Sequence, residues 1–472
     1  MAETNIAIPA RRELEADSMP ISSHSNDRYW AAAFLLLLLA FAVYQKALWF
    51  APGSGDDLRI LSSVSQRHNP LSYFAGDWGM ENTYRLRSGQ IDTARKTYRP
   101  LHSISIWMGY RLFGVSAYPN QLLNLILHVL NILLILRILR RLHLDIVPAF
   151  LLATLGLVSM YTVSPATWVS DRQTLVVALA VVLLISHLVD GEGRLRTSLN
   201  PWLVTGLTVM AVSFKESGLI IPLLAGAFIV FGTYTGPRRS HLAVCVLLAG
   251  SYLGLRVLLF GSNAFAYSSE GFVFGNQPYT LLSDLPWQIG LWARFETIAK
   301  NFLCVFLPIF NPFGRIDSSA ELIGNLLWWL PTVVLTVTAT RKPLTKIQWL
   351  ALAVIGVNSA LHMQVFRYRV EYISQLAFCL YVAASPVWQA RQNKLCGLGR
   401  RQLAGICCGL LALVSISQVN RNIHSNWVQR QDEVTKWRLA TVLQNYPISG
   451  RIVDQVLARY APVAQTSPTK AP

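Results

Sequence analysis

The sequence predicts an all-α polytopic membrane protein: a bundle of about eleven transmembrane helices with a long first extracytoplasmic loop carrying amphipathic helices. Hydrophobic residues make up 53% of the 472-residue chain and charged residues only 14%, whereas a soluble domain carries roughly 25% charged residues. The apolar residues also fall in many separate runs, each near the roughly 20 residues that a bilayer core requires. This composition excludes a secreted disulfide scaffold and a nucleic-acid-binding domain.

Eleven apolar runs are predicted to cross the membrane. The run 200–214 is short and is interpreted as half of a broken helix. A further apolar stretch, 296–313, contains Lys300 and Pro308 and is expected to lie on the membrane surface or to re-enter the bilayer. The predicted spans are about 29–49, 119–141, 147–163, 167–189, 200–214, 217–234, 241–260, 322–340, 346–363, 370–388 and 402–419.

The distribution of charge predicts the orientation. The short loops after the even-numbered spans hold many Lys and Arg residues and few acids. Short cytoplasmic loops are enriched in these bases, so the N-terminus is predicted to be cytoplasmic and the C-terminus extracytoplasmic. The absence of an Asn-x-Ser/Thr sequon is compatible with a bacterial inner membrane. The predicted parts are a tail 1–28, a transmembrane domain 29–419 with outer loops about 51–118 and 261–321, a helical segment 420–460 and a disordered tail 461–472.

Two groups of residues are expected to be structural. Asn124, His128 and Asn131 share one face of the second span, which favours hydrogen bonds between helices. The six cysteines lie in or beside apolar stretches without metal-ligand spacing and are expected to be buried thiols. They are Cys245, Cys304, Cys379, Cys396, Cys407 and Cys408.

An acidic pair follows the first predicted span. Asp56 and Asp57 come after Pro52, Gly53 and Gly55, which indicate a tight turn. Near the membrane boundary, the reduced dielectric and a neighbouring like charge raise the pKa of one carboxylate toward values suited to general-base catalysis. The alternative is a solvated pair that caps the helix beginning near Leu58.

Four further polar groups fall on the same predicted face. Three of them have a structural alternative: Arg99 as a lipid-headgroup contact, Lys215–Glu216 as a local ion pair, and the arginines near 370 as a membrane anchor. Charges at membrane depth are costly and are usually paired or functional, and two nearby arginines can bind a phosphate. The groups are Tyr98-Arg99 before an amphipathic helix over 100–113, Asp171-Arg172 after Trp168, Lys215-Glu216, and Arg367-Tyr368-Arg369 with Glu371-Tyr372.

The convergence of these groups on one face predicts an outward-facing cavity for an anionic lipid substrate. Several sequence motifs then resemble those of one family. They are GDD at 55–57, TYRPLHSIS at 97–105, NLILHVLN at 124–131, SPATWVSDRQTLVVAL at 164–179, SFKESGLIIPLL at 213–224, RYRVEYISQLAFCL at 367–380 and NWVQRQDEVTKWRLATVLQNYP at 426–447.

In this order and spacing, the motifs resemble GT-C fold membrane glycosyltransferases of the protein O-mannosyltransferase-like group. The chain is most similar to the membrane half of the tetratricopeptide-repeat transmembrane O-mannosyltransferases and their bacterial relatives. The resemblance implies a polyprenyl-phosphate-linked sugar donor, a hexosyl or pentosyl transfer to a hydroxyl acceptor, and inversion at the anomeric carbon. No repeat domain of that family is expected in the residues after Tyr446-Pro447, and the acceptor is left open between a glycan, a lipid and a protein.

The resemblance also implies roles for residues. Asp56 or Asp57 becomes the general base, with Asp57 preferred. Arg99, Lys215, Arg367 and Arg369 become candidates for binding the lipid phosphate. No cofactor is required, although carboxylates leave room for a divalent cation. The expected supporting or acceptor-side residues are Tyr98, Asp171, Arg172, Glu216 and Tyr372.

Two other functions compete with the glycosyltransferase. A transporter or flippase of lipid-linked saccharides predicts pseudo-symmetric halves with paired broken helices, and the sequence has no such symmetry. A non-catalytic subunit of a surface-glycan assembly system would tolerate loss of the first-loop acids. All three functions involve membrane lipids, and none involves nucleic acid.

Overall fold

The computed structural model describes most of the chain between residues 23 and 437. Helices make up about 84% of the described residues. The described residues are 23–50, 56–65, 67–75, 84–85, 91–92, 98–159, 161–232, 234–260, 287–306, 319–340, 343–362, 371–388, 394–395, 398–437, 454–455 and 458–459.

Fifteen α-helices are present in the described residues, together with short 3-10 turns and two pairs of two-residue antiparallel strands. The strand pairs are β1 (Tyr84–Arg85) with β2 (Ile91–Asp92), and β3 (Lys394–Leu395) with β4 (Leu398–Gly399). The helices are α1 (Ser23–Tyr44), α2 (Asp56–Ser65), α3 (Pro100–Phe113), α4 (Ala117–Arg141), α5 (Ile146–Leu157), α6 (Val163–Thr167), α7 (Arg172–Leu188), α8 (Pro201–Phe214), α9 (Ile220–Phe231), α10 (Arg238–Phe260), α11 (Trp287–Leu303), α12 (Ser319–Ala339), α13 (Lys346–Leu361), α14 (Tyr372–Ala383) and α15 (Arg400–Trp437).

Five helical segments of the described chain are long and apolar enough to cross a membrane, which agrees with an all-α membrane protein. Six shorter apolar helices accompany them, and the total of eleven spans stays a prediction. The five long segments are Asp27–Trp49, Ala117–Arg141, Val169–Leu188, Arg238–Leu259 and Gln402–Ser425.

Helix α4 lies near the centre of the bundle, against α5 and α7. Its apolar face contributes Ile135, Leu136 and Leu139, all fully buried, to the main core. Other close pairs are α13 with α14, α12 with α15, and α9 with α10. Because much of the surface of α10 is apolar and exposed, with Leu258 85% exposed, this helix is suited to contact lipid.

Helices α4 and α7 run parallel, so both helices begin at one end of the bundle and both finish at the other. At one end, Arg172 on α7 donates to the Asn120 carbonyl on α4 (3.1 Å). At the other end, Arg141 donates to the Ser186 and Val189 carbonyls (2.6 and 3.1 Å). The basic loops after these two helices therefore meet at one end, and the predicted site residues of α4 and α7 lie at the opposite end.

Two predicted segments differ from the structure. The third span was predicted over 147–163, but α5 ends at Leu157, where the Tyr44 and Thr162 hydroxyls both donate to the Leu157 carbonyl. These bonds satisfy a helix-end carbonyl and allow the chain to turn. The last span and the polar segment after 419 form one helix, because no glycine or proline interrupts 410–437.

The polar face of α4 bonds to neighbouring helices, as the sequence predicted. The His128 imidazole bonds to the Tyr372 hydroxyl through Nδ1 (2.8 Å) and to the Leu157 carbonyl through Nε2 (2.9 Å). The Asn131 amide donates to the Leu175 carbonyl (3.1 Å). The prediction of buried thiols is confirmed for Cys245, Cys304, Cys379, Cys407 and Cys408, whereas Cys396 lies outside the described residues.

Candidate functional site

An ion pair joins the first long loop to the connection between α8 and α9. Arg99 directly precedes α3, whose first residue is Pro100, a residue preorganised for this position. The Arg99 guanidinium donates from Nε and Nη2 to the two carboxylate oxygens of Glu216, at 2.9 and 2.6 Å. Burial opposes ionisation of Glu216, but the charge and hydrogen bonds of Arg99 hold the pKa of this carboxyl well below its usual range. The pair is therefore ionised at neutral pH.

Lys215 is held by a relay of side chains at and before the start of α7. Its ammonium donates to the Thr174 hydroxyl (3.0 Å), which donates to the Asp171 carboxylate (2.8 Å). The Ser164 hydroxyl donates to the other oxygen of Asp171 (3.1 Å). Lys215 is 6% exposed, so the relay keeps a buried cation hydrogen-bonded and in one orientation.

Arg172 connects three helices through its whole guanidinium. It donates from Nε to Asn124 (2.9 Å), from Nη1 to the Ser105 carbonyl (3.1 Å) and from Nη2 to the Asn120 side chain (3.0 Å). Helix α3 approaches α4 closely there, since a Cβ atom on Gly109 would collide with the Asn120 side chain. Only the planar fork of an arginine matches such a set of acceptors. Arg172 thus holds α3, α4 and α7 together at this end of the bundle.

Asp57 is buried in the first turn of α2, at 2% exposure. Its carboxylate accepts a hydrogen bond from the Ser170 backbone amide (3.0 Å), and the Arg172 charge acts on it. A small cavity beside it is lined mainly by apolar side chains, with Ser116 and Asn120. Asp57 is therefore not a solvated carboxylate, whereas the side chain of Asp56 lies outside the described residues.

Two residues that the sequence analysis did not single out belong to this cluster. His102 on α3 is 2% exposed, and its Nδ1 has no hydrogen-bond partner in the described structure. Burial, with the charges of Arg99, Arg172 and Lys215, holds the pKa of His102 well below its ordinary value, so its ring is neutral at pH 7.

Arg256 on α10 is the second addition. It is 7% exposed, it donates to the Tyr252 hydroxyl (3.5 Å), and its charge acts on Glu216. The rule that intramembrane charges mark functional sites could have identified Arg256 from the sequence. His102 stands inside the quoted motif TYRPLHSIS, but a lone histidine carries no specific signal.

The structure brings most of the predicted site residues together. Tyr98 lies beside them and packs against Val212, Leu219 and Tyr252. Tyr372 lies deeper in the bundle, bonded to α4. Arg367, Arg369 and the side chain of Asp56 lie outside what the structure describes. The residues that meet are Asp57, Arg99, Asp171, Arg172, Lys215 and Glu216.

The cluster is suited to bind an anionic ligand next to a protein carboxylate, which accepts hydrogen bonds. Its described members comprise three carboxylates and four cations, in a site largely shielded from water, where charge interactions are stronger than in bulk solvent. Carboxylates are the groups that would hold a divalent cation. Among the residues that the structure describes, no three His, Cys, Asp or Glu side chains form a group suited to a metal ion.

Comparisons with known proteins give no further assignment. No family model matches the chain, and no significant match to a curated protein or a solved structure is found.

Proposed function

We propose that this protein is an integral membrane glycosyltransferase. It transfers a hexose or pentose from a polyprenyl-phosphate donor to a hydroxyl acceptor, on the extracytoplasmic face of a bacterial inner membrane. The cytoplasmic N-terminus and extracytoplasmic C-terminus follow from the charge of the short loops. The motif resemblance described above supports the choice of substrates.

One observation carries the proposal: the buried carboxylate of Asp57 lies near the charge of Arg172, which acts on His102 together with the charges of Arg99 and Lys215. These residues are up to 158 positions apart in the chain, and α2, α3, α7 and the α8–α9 connection bring them to one end of the bundle. A transfer from a lipid phosphate needs both functions, a base for the acceptor and positive charge for the leaving group.

Asp57 acts as the general base in this mechanism. Its carboxylate accepts a hydrogen bond from the Ser170 amide and lies near the Arg172 charge, and in this mechanism it accepts the proton of the acceptor hydroxyl. The oxygen attacks the anomeric carbon as the bond to the phosphate oxygen breaks, and the configuration inverts. A single carboxylate suffices, because the leaving phosphate does not need a proton.

Arg99 and Lys215 stabilise the phosphate as it leaves. Both are buried and both are fixed by hydrogen bonds, Arg99 to Glu216 and Lys215 to Thr174. Preorganised charges lower a barrier more than mobile ones, because no reorganisation accompanies the reaction. Arg367 and Arg369 are proposed to complete the phosphate site.

The test is the glycan profile of a strain that lacks this protein, read by mass spectrometry after complementation. Wild-type protein restores one missing glycan, and Asp57→Asn does not. Asp190→Asn is the matched control, because Asp190 also accepts backbone N–H bonds (2.9 and 2.8 Å) but lies at the opposite end of the bundle. Asp56→Asn tests the choice between the two acids. Full restoration by Asp57→Asn, Asp56→Asn and the double variant would exclude the general-base role.

A further inference from the structure

A second group of buried polar side chains lies at the start of α14. Glu371 is 0% exposed, and neither of its carboxylate oxygens has a hydrogen bond in the described structure. Its polar neighbours are Asn358 and Ser374, which bond to each other at 2.9 Å. Asn358 and Ser374 lie close enough to act on Glu371 as hydrogen-bond donors, but a buried carboxyl group without a well-formed hydrogen bond is costly. Within a membrane protein such a group usually marks a functional site.

His362 is a second buried side chain with a polar atom that lacks a hydrogen-bond partner. It follows α13 and is 9% exposed, and its Nε2 has no hydrogen-bond partner among the described residues. Its other ring nitrogen bonds to the Asn358 carbonyl (2.9 Å), and the Asn301 amide donates to the His362 carbonyl (3.2 Å). The ring is therefore fixed, with one nitrogen left available.

This group adjoins the charged cluster. The charges of Lys215, Glu216 and Asp171 all act on the His362 ring. Leu361, the residue before His362, packs against the patch of Val212, Leu219 and Tyr252 on which Tyr98 also packs. A ligand whose phosphate binds Arg99 and Lys215 can thus extend towards His362 and Glu371.

We propose that Glu371 and His362 form the subsite that binds the hydroxyl groups of the donor's sugar ring. This inference rests on the proposed function, because it takes the ligand to be a lipid-linked sugar. Glu371 belongs to the polar group predicted around residues 367–372 but had no role assigned to it, and His362 was not predicted. The subsite would set which sugar the protein accepts.

The chemistry of the group matches a saccharide. The atoms left without a well-formed bond in the described structure are hydrogen-bond acceptors: the Glu371 oxygens and Nε2 of His362, whose Nδ1 donates to the Asn358 carbonyl. Sugar hydroxyls can donate to several such acceptors at once, whereas the described residues hold no three His, Cys, Asp or Glu side chains grouped to bind a metal ion. Sites that hydrogen-bond a substrate hydroxyl discriminate strongly, because their buried groups stay unpaired with the wrong ligand.

The experiment measures the affinity of two lipids for the purified full-length protein in nanodiscs. The probes are polyprenyl phosphate carrying one hexose (mannose, glucose and galactose in turn) and polyprenyl phosphate alone. The variants are Glu371→Gln and His362→Gln, which nearly preserve side-chain volume. Glu192→Gln is the control, since Glu192 is exposed, pairs with Arg194 and lies at the opposite end of the bundle.

Glu371→Gln is expected to weaken binding of the preferred hexose lipid about tenfold to a hundredfold. Its affinity for polyprenyl phosphate alone stays within about twofold of wild type. His362→Gln shows the same selectivity, so either variant can carry the test if the other does not fold. An equal loss of affinity for both lipids, or no loss for either, would overturn the subsite. Wild-type protein that binds neither lipid would instead overturn the proposed function itself.

Discussion

The Arg99 guanidinium and the Glu216 carboxylate form a two-bond ion pair across 117 residues of sequence, with N–O distances of 2.9 and 2.6 Å. This contact joins the start of α3 to the connection between α8 and α9. It therefore fixes a cation of the proposed phosphate site to the membrane-embedded bundle.

The pair is expected to show strong energetic coupling. In a cycle of Arg99→Gln, Glu216→Gln and the double variant, the coupling free energy should be about 1.5 kcal/mol or more, as for other close charge pairs. The measurement is the free energy of unfolding of each purified variant in detergent. Additive effects of the two single changes would show that the contact contributes nothing.

His102 is expected to make stability depend on pH. The unfolded chain binds a proton at this histidine near pH 6.5, whereas the folded chain, in which burial and three cations lower the pKa, does not. Unfolding is therefore favoured as the pH falls below about 6.5, by up to about 1.4 kcal/mol per pH unit. His102→Gln should flatten the unfolding free energy between pH 5.5 and 7.5. An unchanged pH dependence in this variant would contradict the buried, neutral ring.

Arg172→Lys is expected to destabilise the protein although it keeps the charge. A lysine cannot reach Asn120, Asn124 and Ser105 at once, so buried acceptors lose their partners at about 1–3 kcal/mol for each unsatisfied group. The unfolding midpoint of Arg172→Lys, compared with that of Arg111→Lys on the exposed side of α3, measures this effect. Equal midpoints would contradict the anchoring role.

Tyr372→Phe is expected to cost about 1–3 kcal/mol, because it removes the hydroxyl that bonds to His128 at 2.8 Å. Tyr110→Phe on α3, which removes a hydroxyl outside this network, provides the comparison. Sugar-lipid affinity should change little, since the Tyr372 hydroxyl is bonded to His128 and Asn131 on α4. A selective loss of sugar-lipid affinity with unchanged stability would instead support the sequence prediction that Tyr372 belongs to the ligand site.

The sequence predicted much of the fold because local patterns determined it. Apolar runs and proline positions placed α3 over 100–113 and α4 within a few residues of its ends. The partner of Glu216 was less predictable. A local pair with Lys215 was one alternative, but the contact with Arg99 depends on how distant segments pack, which no local pattern encodes.

The same limit applies to His102, His362 and Glu371. A buried histidine or glutamate resembles many structural residues until its partners are known. Their burial and their hydrogen bonds decide what they can bind, and both are properties of the tertiary structure. The charged residues of the cluster were easier to predict, since charges beside apolar spans are rare and costly.

The most direct test of the account measures consumption of the donor by purified protein. Proteoliposomes containing wild type, Asp57→Asn or Asp190→Asn receive polyprenyl-phosphate hexose and a cell-envelope extract that supplies the acceptor, and released polyprenyl phosphate is quantified. The account predicts release by wild type and Asp190→Asn, and release by equally folded Asp57→Asn at least about a hundredfold slower. Release by Asp57→Asn at the wild-type rate would contradict the assignment of Asp57 as the base.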